Sequence, residues 1–184
     1  MNHRPLIFID LETTGASTRN SRVLEIGAIR VDNLKIVDRY STLLSVEQPI
    51  PTFITTLTGI DDSMMHGAPS FLDIADKLRD FMHDGIFVAH NVGFDYSFMQ
   101  LEYRLLGQKF GMDKLCTVRL SRVFYPEQRR HNLDTIISTH GFSVQSRHRA
   151  LDDAQVLVDF FNKIVATNGL RTFAKMDKLI RYAR

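Results

Sequence analysis

The sequence predicts an α/β domain built on a mixed sheet, and three observations predict it. The run Leu6-Ile-Phe-Ile9 has no polar interruption and closes on Thr13-Thr14-Gly15, as a strand buried on both faces does. Two β-rich runs, 23–31 and 35–44, follow and are joined at Asp32-Asn33. That is a hairpin signal, and it makes the first three strands an antiparallel meander. Further along, helical patterns alternate with another short apolar run, Ile86-Phe-Val-Ala89, in the order expected of strands covered by helices.

The elements can be justified in order. Residues 16–22 form a polar loop between the first two strands. The stretch 45–68 reads as loop because Pro49, Pro51 and Gly59 interrupt it, with room for a helical turn at Phe53 to Leu57. Pro69 opens an amphipathic helix carrying Phe71, Leu72, Ala75, Leu78 and Met82, and Gly85 ends it. After the fourth strand, Phe94 to Leu106 is helical up to Gly107, and 108–131 is irregular with one helical piece. Asn132 to His140 is a helix stopped by Gly141, and a long helix runs from near Arg149 to near Asn168-Gly169. There is no internal repeat, low-complexity tract or interdomain linker.

Composition narrows the function classes. A chain of 184 residues with 44% hydrophobic and 24% charged residues reads as one domain with a core of its own. A single cysteine, Cys116, excludes an internal disulfide and fits a reducing compartment. No apolar run reaches membrane-spanning length, and the N-terminal run is too short for a signal peptide; the expectation is a cytoplasmic protein with no membrane partner. Net charge is only +2, but residues 160–184 carry +5 and the other 159 sum to −3. Basic clusters also stand at Arg129-Arg130-His131 and Arg147-His148-Arg149. Such patches can follow phosphates, although a solvated helix face has the same composition.

Chemistry is suggested by acids in apolar settings. Asp10 and Glu12 sit two apart at the end of the opening strand and therefore point to one face, their Cα atoms ~7 Å apart. Two carboxylates held so close call for a cation between them; a pair of solvated acids at a strand end is the alternative. Asp95 falls in the first turn of the helix after the fourth strand, where an acid also favours the helix dipole. Near the last helix, Asp153 lies within about 40° of Leu157, Phe160 and Ile164 at 100° per residue, on the edge of the buried face. Asp152 points to the polar face with Asp159 and Lys163. His148 is too far round to share a helical face with Asp153, which places it on a preceding loop, where an imidazole beside carboxylates suits general-base work.

Three stretches, Phe8-Ile-Asp-Leu-Glu-Thr-Thr-Gly15, His90-Asn-Val-Gly-Phe-Asp95 and His148-Arg-Ala-Leu-Asp-Asp153, together resemble the exonuclease motifs of the DEDD superfamily. The His-x-Ala-x-x-Asp form of the third resembles the histidine subgroup, DEDDh. That subgroup includes the epsilon subunit of bacterial DNA polymerase III, ribonuclease T and oligoribonuclease. Glu25-Ile-Gly-Ala-Ile, Leu57-Thr-Gly-Ile and His131-Asn-Leu-Asp add to the likeness.

The resemblance implies a ribonuclease H-like fold, a mixed sheet of about five strands with the first three antiparallel and helices on its flanks. It implies one exonuclease domain over 1–184, with a core over about 4–168 and a basic C-terminal tail at 169–184. Asp10, Glu12, Asp95 and Asp153 would hold two divalent cations, Mg²⁺ or Mn²⁺, and His148 would take the proton from the attacking water. Glu25 matches none of the four ligands. The backbone near Leu11, Thr13 and Thr14 would meet the terminal nucleotide, with Leu57 wedged beside its base and Thr58, Asn91 and Phe94 nearby. The implied reaction is 3′→5′ removal of nucleoside 5′-monophosphates from a nucleic-acid 3′ end. Thr13-Thr14-Gly15 resembles the epsilon-type branch, which favours single-stranded or mismatched DNA and a polymerase or other replication or repair protein as partner. RNA 3′-end trimming and clearing of short oligonucleotides share the same residues. A haloacid-dehalogenase-type phosphatase would leave His148 and the second motif without a role, and a non-catalytic adaptor would be expected to have lost some of the five side chains.

Overall fold

A computed structural model of the protein describes residues 4–183. Arg184, counted above in the basic tail, lies outside the described residues, as do residues 1–3. Five strands form one mixed sheet in the order β3-β2-β1-β4-β5, with β1 (Leu6–Thr13) at its centre. β1 pairs antiparallel with β2 (Val23–Asp32), which pairs antiparallel with β3 (Lys35–Leu43). On the other side β1 runs parallel to β4 (Ile86–Ala89), and β4 parallel to β5 (Lys114–Cys116).

Side-chain alternation along β1 divides the core. Ile7, Ile9 and Leu11 face a layer made by α2 (Phe71–Met82) and α3 (Gly93–Leu105), packing with Leu78, Phe98 and Tyr103. Leu6 and Phe8 face the opposite layer, which holds Leu120 of α4 (Thr117–Phe124), Ile136 of α5 (Leu133–His140) and Leu157 and Phe160 of α6 (Ala150–Asn168). Asp10 and Glu12 continue the Leu6–Phe8 row by period 2. They therefore stand on the α6 side of the sheet, where the apolar row gives way to acids.

The structure differs from the sequence-based expectation at several element ends. The β2–β3 turn is Asn33-Leu34, with φ of 47° and 63°, because a register shift between Arg30 and Val31 moves the closing pair to Asp32–Lys35. Two residues at positive φ make a type I′ hairpin turn. The stretch 45–68 contains α1 (Thr52–Thr58) and a 3₁₀ turn (Asp62–Met65) over a small cluster of Leu24, Ile50, Ile54 and Ile60. α2 starts at Phe71, two residues later than Pro69 suggests: Ser70 is its N-cap, and Ser70 and Asp73 form a reciprocal capping box. It ends at Met82, with His83 rather than Gly85 as its C-cap. β5, a three-residue strand, lies within the stretch expected to be irregular.

The last segment closes the sheet edge. α7 (Arg171–Asp177) packs on α6 with Thr172 and Met176 buried, and Arg181 exchanges two 2.9 Å backbone hydrogen bonds with Lys114 of β5. Among the described residues, no helix is long and apolar enough to cross a membrane.

Candidate active site

The carboxylates converge where the central strand outruns its neighbour. β1 pairs with β4 only as far as Phe8–Val88, so a crevice opens beyond the carboxyl ends of these parallel strands, the usual ligand position in α/β sheets. Asp10 and Glu12 project from β1 into this crevice. Asp95, 3% exposed, is buried in the first turn of α3 beneath it; its charge acts on Asp10, but it does not line the cavity itself. The Leu11 backbone amide, beyond the last β4 pairing, acts on the Asp95 carboxylate. Asp153, 2% exposed, enters from the first turn of α6, while Asp152 is turned outward and accepts the Ser146 amide at 3.0 Å.

α6 is held against the sheet by a device on β2. Glu25 is buried and accepts Arg149 Nη2 at 2.7 Å and the Ala150 amide at 2.9 Å. A free N–H of the first helical turn is thereby satisfied by a carboxylate, which also favours the dipole. Two residues along the same strand face, a Cβ at Gly27 would lie 2.2 Å from the Ala150 carbonyl carbon. Only glycine lets the helix start come this close. Glu25 is thus occupied by α6 rather than lying among the four carboxylates.

His148 stands on the loop before α6, as its offset from Asp153 predicts, and its φ of 62° is unusual for a residue with a side chain. Its amide donates to Asp153 Oδ2 at 3.3 Å. One ligand-type atom each from Glu12, His148 and Asp153 lie within 4.8 Å of one another. These residues line a cavity of about 290 Å³ together with Asp10, Leu11, His90, Asn132, Leu133, Asp134 and Arg147, enough for one small polar ligand.

Electrostatics mark the cluster as short of positive charge. Burial, then the charges of Asp153 and Glu25, pushes Glu12 up to about 8. Burial pushes Asp95 to about 7, opposed by the amides of Asp95 and Leu11. Asp153 goes to about 6, burial outweighing Arg147. Asp10 rises well above the ordinary carboxylate range through burial and then through Asp95, Asp153 and Glu12. Burial and Arg147 lower His148, so its ring is neutral near pH 7 and able to accept a proton. His90, pushed by burial to about 4, is also neutral, with Nδ1 2.9 Å from the Thr117 hydroxyl.

The donor set fits a hard divalent cation. All four acids offer oxygen, Asp153 Oδ1 is buried without a hydrogen-bond partner, and the upward shifts are what a bound cation would reverse.

The expected substrate contacts are more scattered. Leu11 lines the cavity. Thr14 lines a separate one with Gln48 and Phe53. Thr13 is buried and its hydroxyl donates to the Gly15 carbonyl at 2.8 Å. Leu57 is half exposed on α1 and Thr58 is buried, its hydroxyl donating to the Ile54 carbonyl. Asn91 is exposed at φ 59°, and Phe94 packs against Phe98 with ring centroids 5.0 Å apart. None of the last four lines the carboxylate cavity. The cavity also holds Arg147, Asp134 and Asn132, which are not among the site residues expected from the sequence. The run Arg147-His148-Arg149 is the signal for the first of them, and His131-Asn-Leu-Asp, quoted above only for its likeness, holds the other two.

Comparison with known proteins follows the same residues. The family model described as "Exonuclease" (RNase_T) matches residues 7–161. A PolC-type DNA polymerase III of Caldanaerobacter subterraneus subsp. tengcongensis is 37% identical over 159 residues, 86% of this chain and 11% of that protein. The chain thus spans about a tenth of that relative's length. The DNA polymerase III subunit epsilon of Aquifex aeolicus is 35% identical over 162 residues, 86% of this chain and 79% of the relative. Among solved structures, exonuclease X in complex with 5′-overhanging duplex DNA superposes with a TM-score of 0.74 at 25% identity, covering 94% of this chain and 98% of that one. The fold is the ribonuclease H-like one. The family match begins ahead of Asp10 and ends beyond Asp153, and on that span the chain belongs to the exonuclease family.

Proposed function

We propose that the chain is a 3′→5′ exonuclease that removes nucleoside 5′-monophosphates from DNA, single-stranded or mismatched at its 3′ end. The observation that carries this is the convergence of Asp10, Glu12, Asp153 and a neutral His148 on one crevice at the end of β1, with the buried Asp95 close enough for its charge to act on Asp10. The choice of DNA is supported by relatives named as DNA polymerase III proteins and by the likeness to an exonuclease described with duplex DNA. The same names make a polymerase or another replication or repair protein the candidate partner.

Asp10, Glu12, Asp95 and Asp153 would hold two divalent cations, Mg²⁺ or Mn²⁺. When bound, such a pair supplies Lewis-acid stabilisation of charge on both sides of an in-line displacement at phosphorus. His148 accepts the proton of the attacking water, its neutral ring being maintained by burial and by Arg147. In this reading the terminal nucleotide would rest against the backbone near Leu11, Thr13 and Thr14, and Leu57, Thr58, Asn91 and Phe94 would contact it from outside the carboxylate cavity.

The test uses 5′-labelled single-stranded DNA, mismatched duplex, RNA and a dinucleotide with Mn²⁺. A ladder shortened from the 3′ end, fastest on DNA and abolished by EDTA, is expected. Preference for RNA or the dinucleotide would overturn the substrate choice, and activity retained in EDTA would overturn the cation requirement.

A further inference from the structure

Arg147, which helps to keep His148 neutral, also has direct partners in the cavity. Arg147 directs Nη1 at Asp153 Oδ2, and directs Nε and Nη2 at Asp134 Oδ1, each at 2.9 Å. Its side chain is 28% exposed, against 3% for Asp153 and 68% for Asp134. The guanidinium thus bridges a buried acid of the cluster and an exposed acid on the first turn of α5. Arg149, the neighbouring cation, is committed to Glu25.

We propose that Arg147 is a resident counter-ion of the site, which competes with a divalent cation for Asp153 and so sets the affinity of the site for metal. This rests on the reading of Asp153 as a cation ligand.

Asp153 Oδ2 already receives Arg147 Nη1 and the His148 amide, whereas Oδ1 has no partner. A cation that engages the whole carboxylate must therefore loosen the guanidinium. Displacement is feasible because Arg147 is partly exposed and keeps Asp134, a solvent-facing acid, as a second partner. Arginine stays charged throughout the working pH range, so protonation does not relieve this competition. The same contact stabilises the protein without metal, since a buried carboxylate with no counter-charge is costly. Arg147 should accordingly have opposite effects on the two states.

The experiment measures Mn²⁺ binding by titration calorimetry and thermal unfolding in EDTA for wild type, Arg147→Gln and Arg147→Lys. Arg147→Gln is expected to bind Mn²⁺ about ten-fold more tightly, the scale of one charge-assisted hydrogen bond, while melting at a lower temperature in EDTA. Arg147→Lys, which keeps the charge but loses the fork, should fall between Arg147→Gln and wild type in both measurements. It also serves should Arg147→Gln not fold. A purely structural arginine would lower both stability and Mn²⁺ affinity. Unchanged or weaker Mn²⁺ binding in the variants, with wild type binding normally, overturns this inference alone. Absence of Mn²⁺ binding to wild type overturns the cation site and this inference with it.

Discussion

At the residue scale, two adjacent aspartates separate cation binding from surface charge. Asp153 is buried and Asp152 accepts only the Ser146 amide. Asp153→Asn should therefore abolish hydrolysis, whereas Asp152→Asn should change kcat within about two-fold, an exposed hydrogen bond being worth little. Steady-state kinetics on labelled single-stranded DNA checks both, and equal losses would contradict the assignment. His148→Ala should lower kcat by about 10²–10⁴-fold, the usual contribution of a positioned base, with Mn²⁺ binding preserved. This level was legible in sequence because helical phase and strand alternation are local. Asp10 and Glu12 share a face by period 2, and Asp153 separates from Asp152 by one 100° step. Arg147 was visible only as a member of a basic run; its partners lie 13 residues before it and six after it, and only the fold joins them.

At the element scale, the position of Asp153 depends on how closely α6 approaches β2. Gly27→Ala would place a Cβ inside the Ala150 peptide, so the helix start must move outward. The expected cost is about 3 kcal/mol or more, at the upper end of overpacking effects, with a large loss of kcat as Asp153 moves. Denaturant unfolding and kinetics measure the two losses, and a stable, active variant would contradict the docking account. The β2–β3 turn should respond in the opposite sense. Leu34 holds φ 63° with 44% exposure, and Leu34→Gly would give the Asn-Gly pair that type I′ turns favour. A gain of up to about 1 kcal/mol, or roughly 2–4 °C in Tm, is expected; a fall in Tm would refute it. Strands with long apolar or β-branched runs were readable, as was the Asn132–Gly141 pair bounding α5. β5 was not, because three residues carry no periodicity and become a strand only by pairing with β4. The bulge that moves the hairpin turn by one residue is equally silent in composition.

At the scale of the whole molecule, the sheet serves as a rigid frame that collects acids from β1, α3 and α6 at one point and holds them against their mutual repulsion. The metal-free protein should therefore lose stability as these acids ionise. Groups whose pKa is raised by folding favour the folded state at low pH, and that contribution disappears as pH rises through the folded values. Here those values are about 7 for Asp95 and about 8 for Glu12, with Asp10 also raised. The informative window starts at pH 6.5, because His90, His140 and His148 are lowered by burial and act in the opposite direction below that pH. The decisive measurement is thermal unfolding at pH 6.5 and 8.5, in EDTA and in Mn²⁺. A carboxylate site built for cations predicts a Tm in EDTA lower by on the order of 5 °C at pH 8.5 than at pH 6.5, and a Mn²⁺ stabilisation that is larger at pH 8.5. A Tm in EDTA that does not fall with pH, together with no response to Mn²⁺, would contradict it.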